Sequence, residues 1–224
     1  MRAELLSSPG DVFIEDVLVC ARELLAGVDN PTVAYVPFAA LGYDFASETV
    51  AAFGSFARVE SIPPALADGP AARDVLARAD LIYLPGGNAY LLAKRLHGSA
   101  LAAPIAARVR EGAALVAFSA GTVACGPDVL TTNDANICAC REYAGLGLVT
   151  LRLNVHYPPN AGLQEQRDAT FAEHLAFDDR PIVALQDGAR LLVDDQGATL
   201  VRGPAWLFER DRSRVRLADG EFFR

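Results

Sequence analysis

The sequence predicts an α/β protein with a mostly parallel sheet that is sandwiched between helices and continued by a C-terminal β-hairpin meander. Two observations predict this class. Short apolar runs alternate with helix-like segments through the first part of the chain, as in repeated β-α-β units. The C-terminal part instead carries short apolar runs that are separated by QDG, DQG and RGP, which are turn-forming strings typical of hairpins.

The apolar runs and the segments between them give the positions of the predicted elements. Strands are expected over 32–38, 58–62, 81–84, 113–118, 181–185, 190–194, 198–201 and 205–209, and helices over 45–56, 71–79, 90–96 and 101–110. The run AALVAF, residues 113–118, contains no polar residue, as in a strand that is buried on both faces. A further helix can begin at 122–125, which places Ser119 at the turn between strand and helix.

The composition is that of an ordinary globular protein. The chain has 224 residues, of which 52% are hydrophobic and 21% charged, and no Pro/Gly/Ser-rich linker divides it. One domain covering residues 1–224 is therefore expected, as a monomer or a homodimer. No apolar run approaches the length of a membrane span, and the N-terminus lacks a signal-peptide core, which predicts a cytoplasmic protein that does not enter a membrane.

The charge and the cysteines argue against two further classes of function. The net charge is −8 with acidic and basic residues interspersed, whereas a nucleic-acid surface shows a basic stripe. Cys20, Cys125, Cys138 and Cys140 lack the paired C-x-x-C spacing of a metal site and are expected to be buried thiols. No metal, organic cofactor or nucleic acid is expected as a partner.

Ser119 is the candidate nucleophile. A strand, a sharp turn and a helix are the context of a nucleophile elbow, in which the backbone at the serine is strained and its neighbours must be small. Ala117, Ala120 and Gly121 meet this requirement, although the G-x-S-x-G pattern has glycine where Ala117 stands. The alternative, for a bare Ser-Ala-Gly string, is a serine that caps a helix or lies in a turn.

The segment LPGGN, residues 84–88, ends another predicted strand. In open α/β sheets, ligands bind at the carboxyl ends of the strands. Its two glycines would allow backbone N–H groups to approach an anion or an oxyanion closely. The alternative is a strand-to-helix turn that binds nothing.

His156 is the candidate base among three histidines. It closes a strand-like run and precedes two prolines, so it is expected on a loop at a strand end, where catalytic groups are commonly mounted. His97, at a predicted helix C-terminus, and His174, among charged residues on a helix, are interpreted as structural and solvent-facing. Asp134, after a polar turn, and Asp187, at a strand end, could each orient the imidazole, and the residues themselves do not decide between them.

Seven segments match one enzyme family together, in order and with similar gaps. They are PFA (37–39), LPGGN (84–88), FSAG (118–121), TTND (131–134), NVHY (154–157), EQR (165–167) and GPAWLF (203–208). On these segments the chain resembles the dipeptidase E (aspartyl dipeptidase) and cyanophycinase family of serine peptidases over nearly its whole length. The resemblance implies a class I glutamine amidotransferase-like fold and the hydrolysis of small peptides.

The resemblance also implies a role for individual residues. The family's nucleophile corresponds to Ser119 and its base to His156. Its triad carboxylate corresponds to Asp134, with Asp187 as the reserve because that position is also acidic in relatives.

The family's GGN turn implies where an oxyanion would bind. Its glycine pair corresponds to Gly86 and Gly87, and the N–H groups of Gly87 and Ala120 would form the oxyanion hole. Gly86 and Asn88 of the same turn are expected to contact the substrate.

An E-x-R motif, here Glu165 to Arg167, is expected to bind the substrate's acidic side chain. The Arg167 guanidinium would pair with an N-terminal aspartate, while the alternative is an ion pair on a helix surface. The stretch between His156 and Glu165 is shorter than in dipeptidase E and reads YPPNAGLQ, so a peptidase or cyanophycinase-like hydrolase without Asp specificity is a second interpretation. A catalytically silent protein that binds a small metabolite is the alternative from another class.

Overall fold

Two β-sheets and the helices packed against them make up the computed structural model, which describes residues 1–8, 13–42, 45–211 and 213–223. The strands are β1 (Arg2–Ser7), β2 (Thr32–Tyr35), β3 (Arg58–Ser61), β4 (Leu81–Leu84), β5 (Ala114–Phe118), β6 (Arg152–Asn154), β7 (Ile182–Leu185), β8 (Ala189–Asp194), β9 (Ala198–Arg202), β10 (Ala205–Phe208), β11 (Val215–Leu217) and β12 (Phe222–Phe223). The helices are α1 (Phe13–Leu24), α2 (Ala46–Phe53), α3 (Pro70–Arg78), α4 (Ala89–Gly98), α5 (Ala102–Arg110), α6 (Ala120–Ala124) and α7 (Ala161–Phe177), and a 3-10 turn covers Pro64–Leu66.

The larger sheet has eight strands in the order β12-β9-β8-β1-β5-β4-β2-β3. The five strands β1, β5, β4, β2 and β3 are parallel to one another. The strands β8, β9 and β12 are antiparallel to theirs. The predicted mostly parallel sheet is thus confirmed, and the carboxyl ends of β1, β5 and β4 meet at one edge.

The side chains of the parallel strands alternate between two buried clusters, because successive residues of a strand point to opposite faces. Val116 and Phe118 of β5 pack in the cluster that α1 and α2 cover. Leu115 and Ala117 pack in the cluster on the other face, together with residues of α3 to α6. Helices therefore cover both faces, and every residue of β4 and β5 is buried as their apolar runs predicted.

The C-terminal strands divide between two sheets. β8 and β9 continue the larger sheet, whereas β7 and β10 lie in a four-stranded sheet of order β11-β10-β7-β6. The expectation that all four C-terminal runs extend one sheet was therefore wrong for 181–185 and 205–209. The physical reason is that turn residues mark where a strand ends but do not specify which neighbour it pairs with.

β1 is a central strand that the apolar pattern did not predict. It is buried after its first residue and pairs with both β5 and β8. Glu4 interrupts its apolar run, yet it is only 3% exposed. Its two carboxylate oxygens each accept a hydrogen bond of 2.8 Å from Arg190, which compensates the burial of the charge.

The four cysteines are free thiols, of which Cys20, Cys125 and Cys140 are buried and Cys138 is half-buried. Burial therefore agrees with the prediction for three of them. Among the described residues, no group of three His, Cys, Asp or Glu side chains could hold a metal ion. Within the same residues, no helix combines the length and the apolar character that crossing a membrane requires.

A partly buried ion-pair cluster ties β6 to the loop after α6 and to the end of α7. Arg152 of β6, with its side chain 4% exposed, donates to Asp128 at 2.9 Å and to Asp178 at 2.8 Å. Arg180 pairs with the same two carboxylates. Hydrogen bonds from Arg180 hold the pKa of Asp178 well below its usual range, and the charge of Arg152 lowers it further.

We expect Asp178 to make stability depend on pH in acid. Because its pKa is lower in the folded protein, its contribution is complete above the ordinary value of 3.8 and is lost as the pH falls further. Urea unfolding between roughly pH 5 and pH 2.5 should show the wild type losing more free energy of unfolding than Asp178→Asn. Parallel losses in the two proteins would contradict this assignment.

Candidate active site

Three side chains meet at the carboxyl ends of β5, β6 and β7. Ser119 directly follows β5, His156 lies two residues beyond β6, and Asp187 lies two residues beyond β7. The Ser119 Oγ is 2.8 Å from the Nε2 atom of His156. The Nδ1 atom of His156 is 2.5 Å from the Oδ1 atom of Asp187. An imidazole in this position can accept a serine proton while the carboxylate stabilises the resulting charge.

The backbone at Ser119 is strained and its neighbours are tightly packed. Ser119 has φ 51° and ψ −112°, in a region that non-glycine residues rarely occupy. A Cβ atom at Gly121 would lie 2.2 Å from the carbonyl oxygen of Leu84, and one at Gly86 would lie 3.1 Å from the Ser119 Cβ. The predicted need for small neighbours therefore has a steric cause, and it brings the turn after β4 against the serine.

The end of β1 positions the serine and the histidine. The Ser119 N–H donates to the carbonyl oxygen of Leu6 at 3.0 Å. The His156 N–H donates to the Ser7 Oγ at 3.0 Å. His156 itself has a positive φ, of 55°. Ser7 is fully buried, and its hydroxyl also lies 3.3 Å from the Oδ1 atom of Asp187, to which it can donate. Sequence reasoning missed Ser7. The pattern that selected Ser119, a serine at the end of a strand-like run, also occurs at Ser7 in ELLS.

Asp134 does not contact His156, so the structure contradicts the predicted pair. Its Oδ2 atom accepts hydrogen bonds from the Ala89 N–H at 2.7 Å and from the Thr132 hydroxyl at 3.0 Å. The carboxylate thus satisfies the first N–H of α4 and supports the turn that precedes this helix. Asp187 takes the place beside the imidazole because β7 runs parallel to β6, which brings the ends of these two strands together.

The glycine turn lies against Ser119 at Gly86 and against Ala39 at Gly87. Gly87 has φ 139°, and a Cβ atom there would lie 2.2 Å from the carbonyl oxygen of Ala39. In the described part of the chain, no backbone acceptor pairs with the Gly87 N–H. Asn88 is 7% exposed, and its side chain caps α4 and donates to the carbonyl oxygen of Ala135. Both groups of the Asn88 amide are thus used within the protein, and its predicted contact with substrate is not supported.

Arg167 lines a cavity of about 360 Å³ that begins at His156. Its guanidinium is half-buried, and burial lowers its pKa because desolvation disfavours the charged form. No carboxylate of the described residues lies within ion-pair distance of it. Glu165 of the same motif is exposed and does not line this cavity, so the structure brings only Arg167 to the site.

A polar network holds α7, and with it Arg167, against the segment after His156. The Tyr157 hydroxyl donates to Asp168 at 2.5 Å, and burial together with this bond raises the pKa of the tyrosine. Arg214 donates to Asp168 at 2.7 Å and to Gln164 at 3.0 Å. Gln164 in turn donates to the carbonyl oxygen of Pro158 at 2.9 Å. The two sides of the Arg167 cavity are therefore fixed to each other.

The other two histidines lie away from this arrangement. The Nε2 atom of His97 lies 2.9 Å from the carbonyl oxygen of Ala144, in agreement with a structural position. His174 is half-buried, and this burial lowers its pKa. The positive charge of Arg152 lowers the pKa further. The expectation of a solvated position for His174 is therefore only partly met.

Similar proteins bear on the family of this chain. Peptidase E from Streptomyces coelicolor is 31% identical over 193 residues, which cover 84% of this chain and 79% of that protein. Peptidase E from Citrobacter koseri is 29% identical, with coverage of 96% and 95%. A Drosophila melanogaster protein with the name "Probable alpha-aspartyl dipeptidase" is 29% identical, with coverage of 96% and 92%.

A solved structure supports the fold. The crystal structure of a peptidase from an acI-B1 Actinobacterium superposes with a TM-score of 0.67 at 16% identity, covering 99% of this chain and 96% of that one. The sequence also matches Peptidase family S51 over residues 5–201. The expected resemblance and the expected serine-type peptidase are thus confirmed: the chain belongs to Peptidase family S51.

Proposed function

We propose that the protein is a dipeptidase that hydrolyses Asp-X dipeptides through an acyl-enzyme on Ser119. The observation that carries the proposal is the continuous contact from the Ser119 hydroxyl through His156 to Asp187. The three residues form the proposed catalytic triad, and Ser119 occupies the nucleophile elbow. A protein that only binds a metabolite would have no use for this aligned set of groups.

The charge state of Asp187 determines how the triad would work. An ionised carboxylate only accepts hydrogen bonds, so the Nδ1 atom of His156 carries the proton and its Nε2 atom is free to accept one. His156 takes the Ser119 proton as Oγ attacks the carbonyl carbon of the peptide bond. The imidazolium then gives this proton to the leaving amine, and the C–N bond breaks. Water, activated by the same histidine, hydrolyses the acyl-enzyme.

The N–H groups of Gly87 and Ala120 are the proposed donors to the oxyanion. Ala120 is the first residue of α6, so its N–H has no acceptor inside that helix. The position of Gly86 against the Ser119 Cβ brings the glycine turn to the nucleophile. Donors that are already oriented stabilise the developing charge without having to reorganise during the reaction.

Arg167 is the proposed reader of an N-terminal aspartate. Its guanidinium lines the cavity at His156 and lacks an acidic partner among the described residues. A protein of net charge −8 needs such a local cation to bind an acidic side chain. The name of the Drosophila relative refers to α-aspartyl dipeptides, which agrees with this assignment.

We also propose that residues 1–224 form one peptidase domain that acts in the cytoplasm. A hydrogen bond connects the two sheets at the candidate site. The Ser7 hydroxyl, in β1 of the larger sheet, accepts from the N–H of His156, which follows β6 of the smaller sheet. Four free cysteines, three of them buried, agree with a reducing compartment.

Ser119→Ala is expected to abolish hydrolysis without unfolding the protein, because the nucleophile is lost and only one atom is removed. Loss of a triad member commonly costs several orders of magnitude in kcat. A fluorophosphonate should label the wild type and the control Ser55→Ala, which changes an exposed serine, but not Ser119→Ala. Turnover by Ser119→Ala above about a tenth of the wild-type value would refute the nucleophile assignment.

Asp187→Asn and Asp134→Asn are expected to differ strongly. Asn at 187 cannot hold the required imidazole tautomer, so kcat should fall on the order of 10³–10⁴-fold. Asn at 134 keeps an oxygen acceptor for the Ala89 N–H and should retain most activity. Steady-state kinetics of both variants on one dipeptide would decide, and a larger loss in Asp134→Asn would reverse the two assignments.

Arg167→Ala is expected to reduce kcat/KM for Asp-Leu. The reduction should correspond to a loss of about 2–4 kcal/mol in transition-state stabilisation, as when one partner of a buried charge pair is removed. Ala-Leu, which never uses the pair, should change little. Arg73→Ala removes an exposed arginine and controls for the change in net charge. Equal losses on both dipeptides would favour a peptidase without Asp specificity.

A further inference from the structure

A second cavity, of about 620 Å³, opens beside the glycine turn on the face of the larger sheet that α1 and α2 cover. Gly86, Gly87 and Phe118 form the part of its wall that adjoins Ser119. It shares no described lining residue with the cavity of Arg167, which begins at His156. His156 therefore lines one cavity, and the glycine turn that lies against Ser119 lines the other.

The chemistry of this second cavity differs from that of the Arg167 cavity. Aromatic and aliphatic side chains form most of its wall, namely Ile14, Tyr35, Leu41, Phe45, Tyr83 and Phe118. The rings of Tyr35 and Tyr83 stack with their centroids 5.5 Å apart. Of the described residues that line it, Glu48 alone is a charged type. Most of this wall favours an apolar group, since a second carboxylate would lose its hydration without gaining an opposite charge from the described lining residues.

We propose that this apolar cavity binds the side chain of the residue that leaves from the scissile bond. The inference rests on the proposed function, in which the first residue of the dipeptide places its carboxylate at Arg167. The peptide carbonyl must lie between the Ser119 Oγ and the glycine turn, so the second residue is the remaining group that can extend past Gly86. The substrate class is then Asp-X, with X an apolar residue such as leucine or phenylalanine.

Filling the cavity tests the proposal. Thr49, which is 4% exposed, and Ala40, which is half-buried, both line it and can each be replaced by phenylalanine. Val50 is next to Thr49 on α2 but is 47% exposed and outside the cavity, so Val50→Phe is the matched control. The measurement is kcat/KM for Asp-Gly, Asp-Ala, Asp-Leu and Asp-Phe in all four proteins, with thermal unfolding to establish that each is folded.

The wild type should hydrolyse Asp-Leu at least about tenfold more efficiently than Asp-Gly, because the leucine side chain leaves water for an apolar wall. Thr49→Phe and Ala40→Phe should lose this preference, and Val50→Phe should keep it. Ala40→Phe decides the matter if Thr49→Phe does not fold. A wild type that hydrolyses every Asp-X equally well would overturn the inference while leaving the proposed function intact, as would filled variants that keep the preference.

Two further outcomes separate this inference from the proposed function. A change in first-residue preference alone, measured with Leu-Ala against Asp-Ala, would show that the cavity binds the acyl residue, which overturns the inference. If no dipeptide is hydrolysed, the proposed function fails, and labelling of Ser119 by a fluorophosphonate then tests the cavity. Free leucine should slow the labelling of the wild type more than free glycine does. In the filled variants the two amino acids should slow labelling equally. Equal slowing by leucine and glycine in the wild type would overturn the inference.

Discussion

The carboxyl end of β1 contacts the segments that carry Ser119, His156 and Asp187, and the geometry of the candidate site depends on it. The Leu6 carbonyl oxygen accepts from the Ser119 N–H, the Ser7 hydroxyl accepts from the His156 N–H, and the Ser7 carbonyl oxygen accepts from the Gly188 N–H beside Asp187. Ser119 and His156 both have positive φ values, a conformation that costs on the order of 1–3 kcal/mol per residue. Surrounding structure has to impose such a conformation, and the first two of these bonds tie Ser119 and His156 directly to β1.

The stability of β1 therefore has a direct bearing on the geometry of the site. The strand pairs with β5, which ends directly before Ser119, and with β8, which follows Asp187. Thr122 adds a second connection, since its hydroxyl exchanges hydrogen bonds with the backbone of Leu6. The buried pair of Glu4 and Arg190 crosses between β1 and β8. Removal of Arg190 would leave the buried charge of Glu4 uncompensated in the strand that aligns the proposed triad.

The residues of the candidate site come from both sheets. The larger sheet supplies the serine, the glycine turn and the apolar cavity, whereas the smaller sheet and α7 supply the histidine and Arg167. In the proposed function, a peptide bond at Ser119 would have the Arg167 cavity on the side of His156 and the apolar cavity on the side of the glycine turn. The network around Asp168 fixes α7 against the segment after His156, so in the proposed function the helix that carries Arg167 would not have to be ordered by the substrate.

Local patterns in the sequence were sufficient for the parallel strands β2 to β5, for the strand-turn-helix at Ser119 and for the position of His156 beyond a strand end. Burial on both faces, small residues at a tight turn and prolines after a strand are all visible in residue type. They were not sufficient for β1, whose buried Glu4 needs a partner 186 residues away. Nor could they decide between Asp134 and Asp187, since each is an aspartate at a turn. Only the parallel pairing of β6 and β7 decides that Asp187 reaches the imidazole, while Asp134 caps α4. Long-range pairing depends on which strands lie side by side, and a single sequence does not record that.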